Sequence, residues 1–487
     1  MKTYDAVIVG AGPAGSALAI HLARAGLDAL LVEKERFPRD KVCGEMMNPR
    51  AIRHLEDLGC FSRVEALGYD KIRSGTVFLD GVLEMTGALP AVEGCVDYAH
   101  AVPRRVLDEI IFRGAQSAGA GTLEGCRIQG FEVGPDAVEI DARLEGGERL
   151  RLEARLIVGA DGSESTVARL AGLAMRDDRY VGIGIRSYGE GFPLDGAILS
   201  WDREYLPGLA WVFPSKDGCF NIGVGTIAEP AKRSEMRLRD YFDRTVDLVT
   251  KLGRERGFAP RVEPPRGWAL KSYGGARRNY FERGLLIGDA GSFADPLTGE
   301  GIPMALETAR LAAETIQAAV AAGDFSEGRL AAYEGRWRQR YDVDSLMADA
   351  LVTISRNTHL ADLMMEFLRL SLRAADRDER YAETVGGVYV GIVPISQMLR
   401  PEYLLRPLTY GPETWRAILG LSRERPLADL ARRAAEQTGV GLAAWRAMLR
   451  DPQRSLEWLR EVNQKQMRVA RGLAGAAFGA AGRDRPG

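Results

Sequence analysis

Apolar and polar positions in the first part of the chain alternate in blocks that predict a strand–helix–strand unit. Residues 4–9 form a short apolar run rich in branched side chains, as in a buried strand. A helical pattern follows over residues 16–25 and stops at Gly26, and residues 28–33 repeat the strand pattern. The unit spans about 30 residues, the size of half a dinucleotide-binding domain.

Beyond this unit, the pattern predicts short strands first and helices later. A helix is predicted over residues 104–118, and a long helix follows Pro303 and extends to about residue 321. The predicted strands lie at residues 137–144, 149–154, 156–158, 181–187, 209–213, 219–227 and 284–288. The later helical patterns lie at residues 329–341, 344–375, 412–422 and 441–472.

These elements predict an α/β protein with a Rossmann-type domain on a parallel sheet, an inserted antiparallel β-sheet domain for the substrate, and a helical C-terminal region. We expect the Rossmann-type domain at residues 1–75, 101–179 and 276–325, the substrate domain at 76–100 and 180–275, and the helical region at 326–472. The Gly/Ala-rich end, residues 473–487, is expected to be disordered.

Composition and charge exclude several classes of protein. Hydrophobic residues make up 46% and charged residues 27%, and the formal net charge of -2 argues against nucleic acid as a partner. Five scattered cysteines predict no disulfide framework or metal site and favour a cytoplasmic setting. The apolar run at residues 6–20 lacks the basic flank of a signal peptide. No run reaches the roughly 18 apolar residues of a transmembrane helix.

The first chemical motif is the loop Gly10-Ala11-Gly12-Pro13-Ala14-Gly15, between the first strand and the first helix. Gly10 permits a tight turn, Gly12 lets the backbone approach a pyrophosphate, and Gly15 lets the helix pack on the strand. Glu33, followed by Lys34, ends the second strand, where a carboxylate accepts hydrogen bonds from ribose hydroxyls and disfavours a 2′-phosphate. The motif therefore predicts an adenine dinucleotide other than NADP.

Two further motifs follow later predicted strands. They are Gly159-Ala160-Asp161-Gly162 and Gly288-Asp289-Ala290-Gly291, the latter followed by Pro296. They resemble the Asp-Gly and Gly-Asp motifs of the para-hydroxybenzoate hydroxylase-like flavoproteins. The resemblance implies bound FAD, with Asp289 at its ribityl chain and the next helix directed at the flavin. It also implies that Arg104 reaches the cofactor, with Arg105 as an adjacent alternative.

Three segments narrow the resemblance to the geranylgeranyl reductase family. They are Lys41-Val42-Cys43-Gly44-Glu45, Pro207-Gly208-Leu209-Ala210-Trp211-Val212-Phe213-Pro214 and Asp295-Pro296-Leu297-Thr298-Gly299-Glu300-Gly301-Ile302. With the other motifs they extend the resemblance from residue 4 to about residue 320. The resemblance implies a reduced FAD that delivers hydride to a carbon–carbon double bond of an apolar, isoprenoid or polyketide-like substrate.

The expected FAD contacts are Gly10, Gly12, Pro13, Ala14, Gly15, Glu33, Lys34, Cys43, Gly44, Arg104, Asp161, Gly162, Gly288, Asp289, Pro296, Gly299, Gly301 and Ile302. Candidates near the flavin without an assigned catalytic role are Cys43, Glu45 and Glu300. Cys43 could equally be a small buried loop residue, and the two glutamates could instead bond to backbone in their loops. Trp211 and Phe213 are expected either to line the substrate pocket or to belong to the core. No metal ligand is predicted.

Other activities stay open at this level. No second glycine motif follows a strand, so we expect NAD(P)H or another reduced carrier to bind transiently. The alternatives to a reductase are an FAD-dependent monooxygenase of secondary metabolism, a flavin-dependent halogenase and a non-enzymatic flavin-binding protein. Halogenases carry Trp where this chain has Leu209, and Lys71 is interpreted as a surface residue rather than their active-site lysine.

The helical C-terminal third carries none of these motifs. Arginines and two tryptophans, Trp445 and Trp458, occur in and beside residues 446–472. They are compatible with a cap over the pocket, a dimer surface, or peripheral contact with a membrane. The oligomeric state is left open.

Overall fold

The computed structural model describes residues 2–91, 94–274 and 278–481, which fall into two compact units. The first unit comprises Met1–Asp70, His100–Ile183 and Gly267–Asp342; the second comprises Lys71–Ala99, Gly184–Arg266 and Val343–Gly487. The C-terminal helices from residue 343 onward therefore cluster with the second unit. Among the described residues, no helix combines the length and apolarity needed to cross a bilayer.

The first unit contains an eight-stranded sheet. Six strands lie side by side in the order Tyr280–Phe281, Gly284–Leu286, Arg149–Gly159, Thr3–Val9, Ala29–Val32 and Gly121–Leu123. Five of them are parallel, and the edge strand Tyr280–Phe281 is antiparallel. Two further strands, Cys126–Val133 and Val138–Leu144, pair antiparallel with each other, and the second also pairs with the start of Arg149–Gly159. The predicted parallel sheet is confirmed.

Register brings the ends of four parallel strands to one edge of this sheet. Val9 lies opposite both Val32 and Gly159, and Gly159 lies opposite Leu286. The middle strand Thr3–Val9 is buried along its second half, because helices cover both faces of a parallel sheet. The residues that follow these strand ends therefore emerge together, which is where ligands bind in open α/β sheets.

Most of the first unit's helices lie between these strands in the chain, and the last two follow the final strand. The helices are Pro13–Arg24, Pro49–Asp57, Phe61–Glu65, Arg104–Ser117, Thr166–Leu170, Ile302–Ala322 and Glu327–Leu330. Helix Pro13–Arg24 packs against both Arg104–Ser117 and Ile302–Ala322. A two-stranded ladder, Met46–Met47 with His100–Ala101, completes the unit.

Most of another eight-stranded sheet belongs to the second unit. Seven strands lie in the order Arg261–Val262, Val181–Glu190, Phe220–Ile227, Leu209–Pro214, Ala197–Trp201, Ser74–Leu79 and Val82–Ala88, and Arg266–Lys271 pairs with Val181–Glu190. The predicted antiparallel pairing holds for the neighbouring hairpins. The exception is the parallel pair Ser74–Leu79 and Ala197–Trp201, which are joined through a long intervening stretch of chain.

A helix within the predicted β-rich region was not anticipated from the sequence. Residues Leu238–Glu255 form an 18-residue helix that packs on strand Phe220–Ile227. Its buried residues include Tyr241, Thr245 and Val249, spaced four apart on one face. The helical period was thus present in the sequence, but the surrounding strand patterns obscured it.

The C-terminal helices differ from the predicted bounds at turn-forming residues. They are Ala332–Ser355, Ala361–Ala375, Glu379–Tyr389, Pro401–Leu404, Pro412–Leu419, Pro426–Arg450 and Pro452–Ala481. The predicted helix over 344–375 breaks where the Asn357 side chain accepts the backbone N–H of His359. The one predicted over 441–472 breaks before Pro452, because proline disfavours helical backbone at the preceding Asp451.

The last helix continues past the point at which the sequence predicts a disordered tail. Residues 473–481 belong to the helix Pro452–Ala481, and residues 482–487 lie outside the described residues.

A buried ionic cluster fastens this last helix within the second unit. The Lys465 ammonium is 4% exposed and lies 2.7 Å from Asp349 Oδ1 and 3.0 Å from Glu461 Oε1. It also donates to Thr353 Oγ1 at 2.7 Å, and the Trp458 indole N–H donates to the Thr353 carbonyl. Burial raises the pKa of Asp349, and Lys465 opposes that shift.

Replacing Lys465 by Met is expected to destabilise the protein by about 3–5 kcal/mol, because the buried Asp349 carboxylate and the partly buried Glu461 carboxylate lose their common cation. Urea denaturation followed by circular dichroism measures the change. Lys251→Met, at an exposed lysine of helix Leu238–Glu255, is the matched control and should stay within about 0.5 kcal/mol of the parent. Equal unfolding midpoints for the two variants would contradict the structural role of Lys465.

Candidate functional site

The glycine loop after the first strand is shaped by two close contacts. Gly10 has φ +101°, and a side chain there would place its Cβ 2.6 Å from the carbonyl oxygen of Ala160. A Cβ at Gly15 would overlap the Gly10 carbonyl oxygen. Both positions therefore require glycine, and the helix Pro13–Arg24 begins directly against the sheet edge.

The space in front of Gly12 differs from that at the other two glycines. A Cβ at Gly12 would meet only the terminal guanidinium nitrogens of Arg39 and Arg104, at 3.8 and 4.0 Å. Gly12 caps the helix without a side-chain hydrogen bond, so the first-turn N–H groups face this space. Arg39 Nε is buried and has no hydrogen-bond partner among the described residues. Two cations, free helix N–H groups and an unused donor fit the pyrophosphate of a dinucleotide.

Glu33 lies at the end of the second strand, as the sequence predicts, and is 4% exposed. Its Oε2 accepts the backbone N–H of Ala11 at 2.9 Å, and its Oε1 accepts that of Glu35 at 3.1 Å. Arg39 Nη2 lies 3.3 Å from the same carboxylate. Lys34 is exposed. The Glu33 carboxylate is thus fixed beside the glycine loop.

Arg104 and Arg39 share a buried carboxylate, Asp108. Arg104 Nε and Nη2 lie 2.6 and 2.9 Å from the two oxygens of Asp108, and Arg39 Nη1 lies 2.9 Å from Oδ2. Burial opposes the ionised form of Asp108, but the two guanidinium groups outweigh it and lower the pKa of this carboxyl. Arg105 is exposed, so Arg104 is the arginine that reaches the site. The role of Arg39 has no signal in the sequence, because its partner Asp108 lies 69 residues away in the chain.

The segment Cys43–Glu45 lies against Arg104. Cys43 is partly exposed rather than buried, and its sulfur accepts the backbone N–H of Glu45 and bonds to the Arg104 guanidinium. Glu45 is 1% exposed, has φ +66°, and accepts the Arg104 backbone N–H at 3.1 Å. Glu45 thus makes the backbone hydrogen bond that the sequence offers as its alternative role, at the start of helix Arg104–Ser117. Gly44 lies between the two and is partly exposed.

Asp289 lies beside the start of helix Ile302–Ala322. A Cβ at Gly301, which caps that helix, would be 3.3 Å from Asp289 Oδ1. Lys41 Nζ lies 2.9 Å from Asp289 Oδ2. Burial disfavours the ionised carboxylate, but Lys41 and the more distant Arg104 lower the pKa of Asp289 below its usual value. The positive end of the helix dipole favours the same charge.

The loop before this helix holds a second partly buried carboxyl group, Glu300. Asn48 Nδ2 lies 3.1 and 3.0 Å from the two Glu300 oxygens, and Asn48 Oδ1 caps helix Pro49–Asp57. Burial, aided by the nearby Asp295 carboxyl, raises the pKa of Glu300 to about 8. Glu300 therefore carries a proton at neutral pH. The hydrogen-bond partner of the Glu300 carboxyl is thus the Asn48 side chain. The alternative role predicted from the sequence was a hydrogen bond to backbone.

Four other predicted FAD contacts lie in the same loop as Glu300, at the start of the next helix or before the loop in the chain. Pro296 and Ile302 are buried, and Gly299 adopts φ +69° with open space around it. Gly288, with φ +56°, donates its N–H to Thr308 Oγ1 of the following helix at 3.1 Å. The loop is thereby held at the carboxyl edge of the sheet.

Asp161 lies at the same sheet edge but serves local structure. Its carboxylate accepts the Ser165 hydroxyl at 2.5 Å and the Thr166 N–H at 2.6 Å, which stabilises helix Thr166–Leu170. Burial raises the pKa of this carboxyl. Gly162, with φ +80°, lies in the turn between Asp161 and this helix.

Trp211 and Phe213 belong to the second unit. Their neighbours Ala210 and Val212 lie in its core cluster, so the alternation of strand side chains places Trp211 and Phe213 on the opposite face. The Trp211 indole lies over Gly223 and donates to Asn221 Oδ1 at 2.8 Å.

Comparison with known proteins identifies the family. The family model described as "FAD binding domain" matches residues 3–343. The chain is 34% identical to menaquinone reductase of Mycobacterium tuberculosis over 328 residues, covering 64% of this chain and 76% of that protein. It is 29% identical to the 1H-pyrrole-2-carbonyl-[peptidyl-carrier protein] chlorinase of Pseudomonas fluorescens, over 69% of this chain and 80% of that protein.

The fold is shared with a geranylgeranyl bacteriochlorophyll reductase-like protein from Thermoplasma acidophilum. Its crystal structure superposes with a TM-score of 0.65 at 21% identity, covering 76% of this chain and 92% of that one. The chain therefore belongs to the FAD binding domain family and is an FAD-dependent oxidoreductase of the para-hydroxybenzoate hydroxylase-like class.

Proposed function

We propose that this protein reduces a carbon–carbon double bond of an apolar, isoprenoid-like substrate. The observation that carries the proposal is Glu300, a partly buried carboxyl held by Asn48 that keeps a proton at neutral pH near the start of helix Ile302–Ala322. Addition of hydrogen to an alkene needs a hydride and a proton. FAD supplies the hydride when reduced and bound, and Glu300 supplies the proton.

The residues at the sheet edge suit the successive parts of FAD. Arg39, Arg104 and the N–H groups beside Gly12 suit the pyrophosphate, and Glu33 suits the adenosine ribose. Asp289 suits the ribityl hydroxyls. The N-terminus of helix Ile302–Ala322 favours negative charge on the ring.

The substrate class rests on two supports. Trp211, which is partly exposed, presents aromatic surface on the strand face opposite Ala210 and Val212, as an apolar substrate requires, whereas Phe213 is 7% exposed. The relative named menaquinone reductase and the structure named geranylgeranyl bacteriochlorophyll reductase-like both carry names of isoprenoid compounds. We further propose that NAD(P)H or another reduced carrier binds transiently, and that the protein works in the cytoplasm.

Oxygenation and halogenation are less well supported. Lys71 is exposed, and its ammonium lies 4.2 Å from the centre of the Tyr98 ring, as a surface lysine does. A monooxygenase transfers oxygen and adds no hydrogen to an alkene. The proton of Glu300 has a direct use in the addition of hydrogen, which favours the reductase.

The reaction itself is tested with the holoprotein, reduced with dithionite without oxygen, freed of excess dithionite and mixed with a geranylgeranyl lipid, which carries no quinone ring, in detergent. We expect the flavin to reoxidise and the product to gain two hydrogen atoms per reduced double bond, measured by mass spectrometry. If the flavin reoxidises only after oxygen is admitted, and the product carries an added oxygen atom, the protein is a monooxygenase.

Glu300→Gln tests the proton donor. Loss of the acid is expected to slow flavin reoxidation by substrate about 10²–10⁴-fold while leaving flavin reduction unchanged. In the parent the rate should fall as pH rises through about 8, because Glu300 then loses its proton, and the variant should lose this dependence. Stopped-flow absorbance across pH measures both. Glu132→Gln, at an exposed strand residue, is the control. An unchanged pH profile in Glu300→Gln would exclude Glu300 as the donor.

Asp289→Asn tests the FAD contacts. Loss of a charged acceptor for ribityl hydroxyls is expected to weaken FAD binding about ten- to hundredfold. Titration of apoprotein with FAD, followed by flavin fluorescence, gives the affinity. The control is Asp28→Asn, which removes the carboxylate of the exposed Lys2–Asp28 pair and should leave the affinity unchanged. Equal affinities for the two variants would rule out the proposed ribityl contact.

A further inference from the structure

The helix Pro426–Arg450 carries an exposed apolar stripe. Leu442, Trp445 and Leu449 are 50%, 57% and 58% exposed, and their spacing of three and four residues puts them on one side of the helix. Ala444 is buried on the side by which this helix packs. The exposed stripe therefore lies on a different side of the helix from the side that packs on the protein.

The helix Pro452–Ala481 repeats this arrangement. Leu456, Leu459 and Met467 are 53%, 47% and 48% exposed. Val462 and Lys465 are buried on the other side, where the ionic cluster fastens the helix. We call the six exposed side chains on the two helices the C-terminal apolar surface.

Arginines border both stripes. Arg446 and Arg450 follow Trp445 and Leu449 by one position, as Arg460 follows Leu459, and all three arginines are exposed. Without Lys465 and Glu461, which pair in the ionic cluster, residues 426–472 contain eight Lys and Arg against four Asp and Glu, whereas the whole chain has a formal net charge of -2. Positive charge is thus concentrated around the C-terminal apolar surface.

We propose that the C-terminal apolar surface docks on an anionic lipid bilayer, with both helices lying in the plane of the membrane interface. Apolar side chains beside arginines, with a tryptophan among them, have the chemistry of interfacial helices. The described helices cannot span the bilayer, so the contact is peripheral. A second copy of the chain is the less suitable partner, because it would bring another arginine-rich border to the same surface.

Vesicle co-sedimentation of the holoprotein tests the proposal, with vesicles of phosphatidylcholine alone or mixed with phosphatidylglycerol. Binding is expected only with the anionic lipid and should weaken with salt. The double variant Leu442→Gln/Leu449→Gln should bind at least about tenfold more weakly. Arg446→Gln/Arg450→Gln should lose about fivefold per arginine. Leu83→Gln, at a leucine of 57% exposure on strand Val82–Ala88, is the matched control and should bind as the parent does.

Thermal melting of each variant confirms that it folds before its binding is compared. Absence of binding to anionic vesicles by the parent overturns the proposal. So does self-association, measured by analytical ultracentrifugation without lipid, that the double leucine variant abolishes. The result is separable from the proposed reductase activity, which is measured on substrate in detergent without vesicles.

Discussion

The contact between Gly10 and Gly15 is the constraint on which the first unit depends. With no side chain at either position, the helix Pro13–Arg24 starts against the sheet edge, and its free N–H groups point at the space before Gly12. A methyl group at either glycine would push the helix away from that edge. The backbone thus provides the first part of the site, the free N–H groups of this helix, and the charged side chains lie beside them.

Charge placement then divides the site into two regions. Near Gly12, Arg39 lies between Glu33 and Asp108, so fixed carboxylates hold a guanidinium toward the loop. At the other region, Asp289 stays ionised beside Lys41, while Glu300, two residues before the same helix, keeps its proton. Burial raises the pKa of both carboxyls, but Lys41 outweighs it at Asp289, whereas the Asp295 carboxyl adds to it at Glu300 and the Asn48 amide offsets it only in part.

In the second unit, the last helix buries charged side chains and exposes apolar ones. A buried lysine with its carboxylates fastens the last helix, and the apolar side chains that a free helix would bury remain outside. Removing the ionic cluster would release the helix that carries half of the C-terminal apolar surface. The stability of the second unit and the proposed membrane contact therefore both depend on the helix Pro452–Ala481.

The sequence alone determined the strand–helix–strand unit, the parallel sheet and the cofactor class, because glycine spacing and short-range periodicity express local backbone requirements. It also located Arg104, Asp289 and Glu300 within motifs. Only the tertiary structure decided their neighbours: Arg39 at Asp108, Lys41 at Asp289 and Asn48 at Glu300 each join segments far apart in the chain. The protonation of Glu300 follows from burial and from those neighbours, and neither is encoded in local spacing.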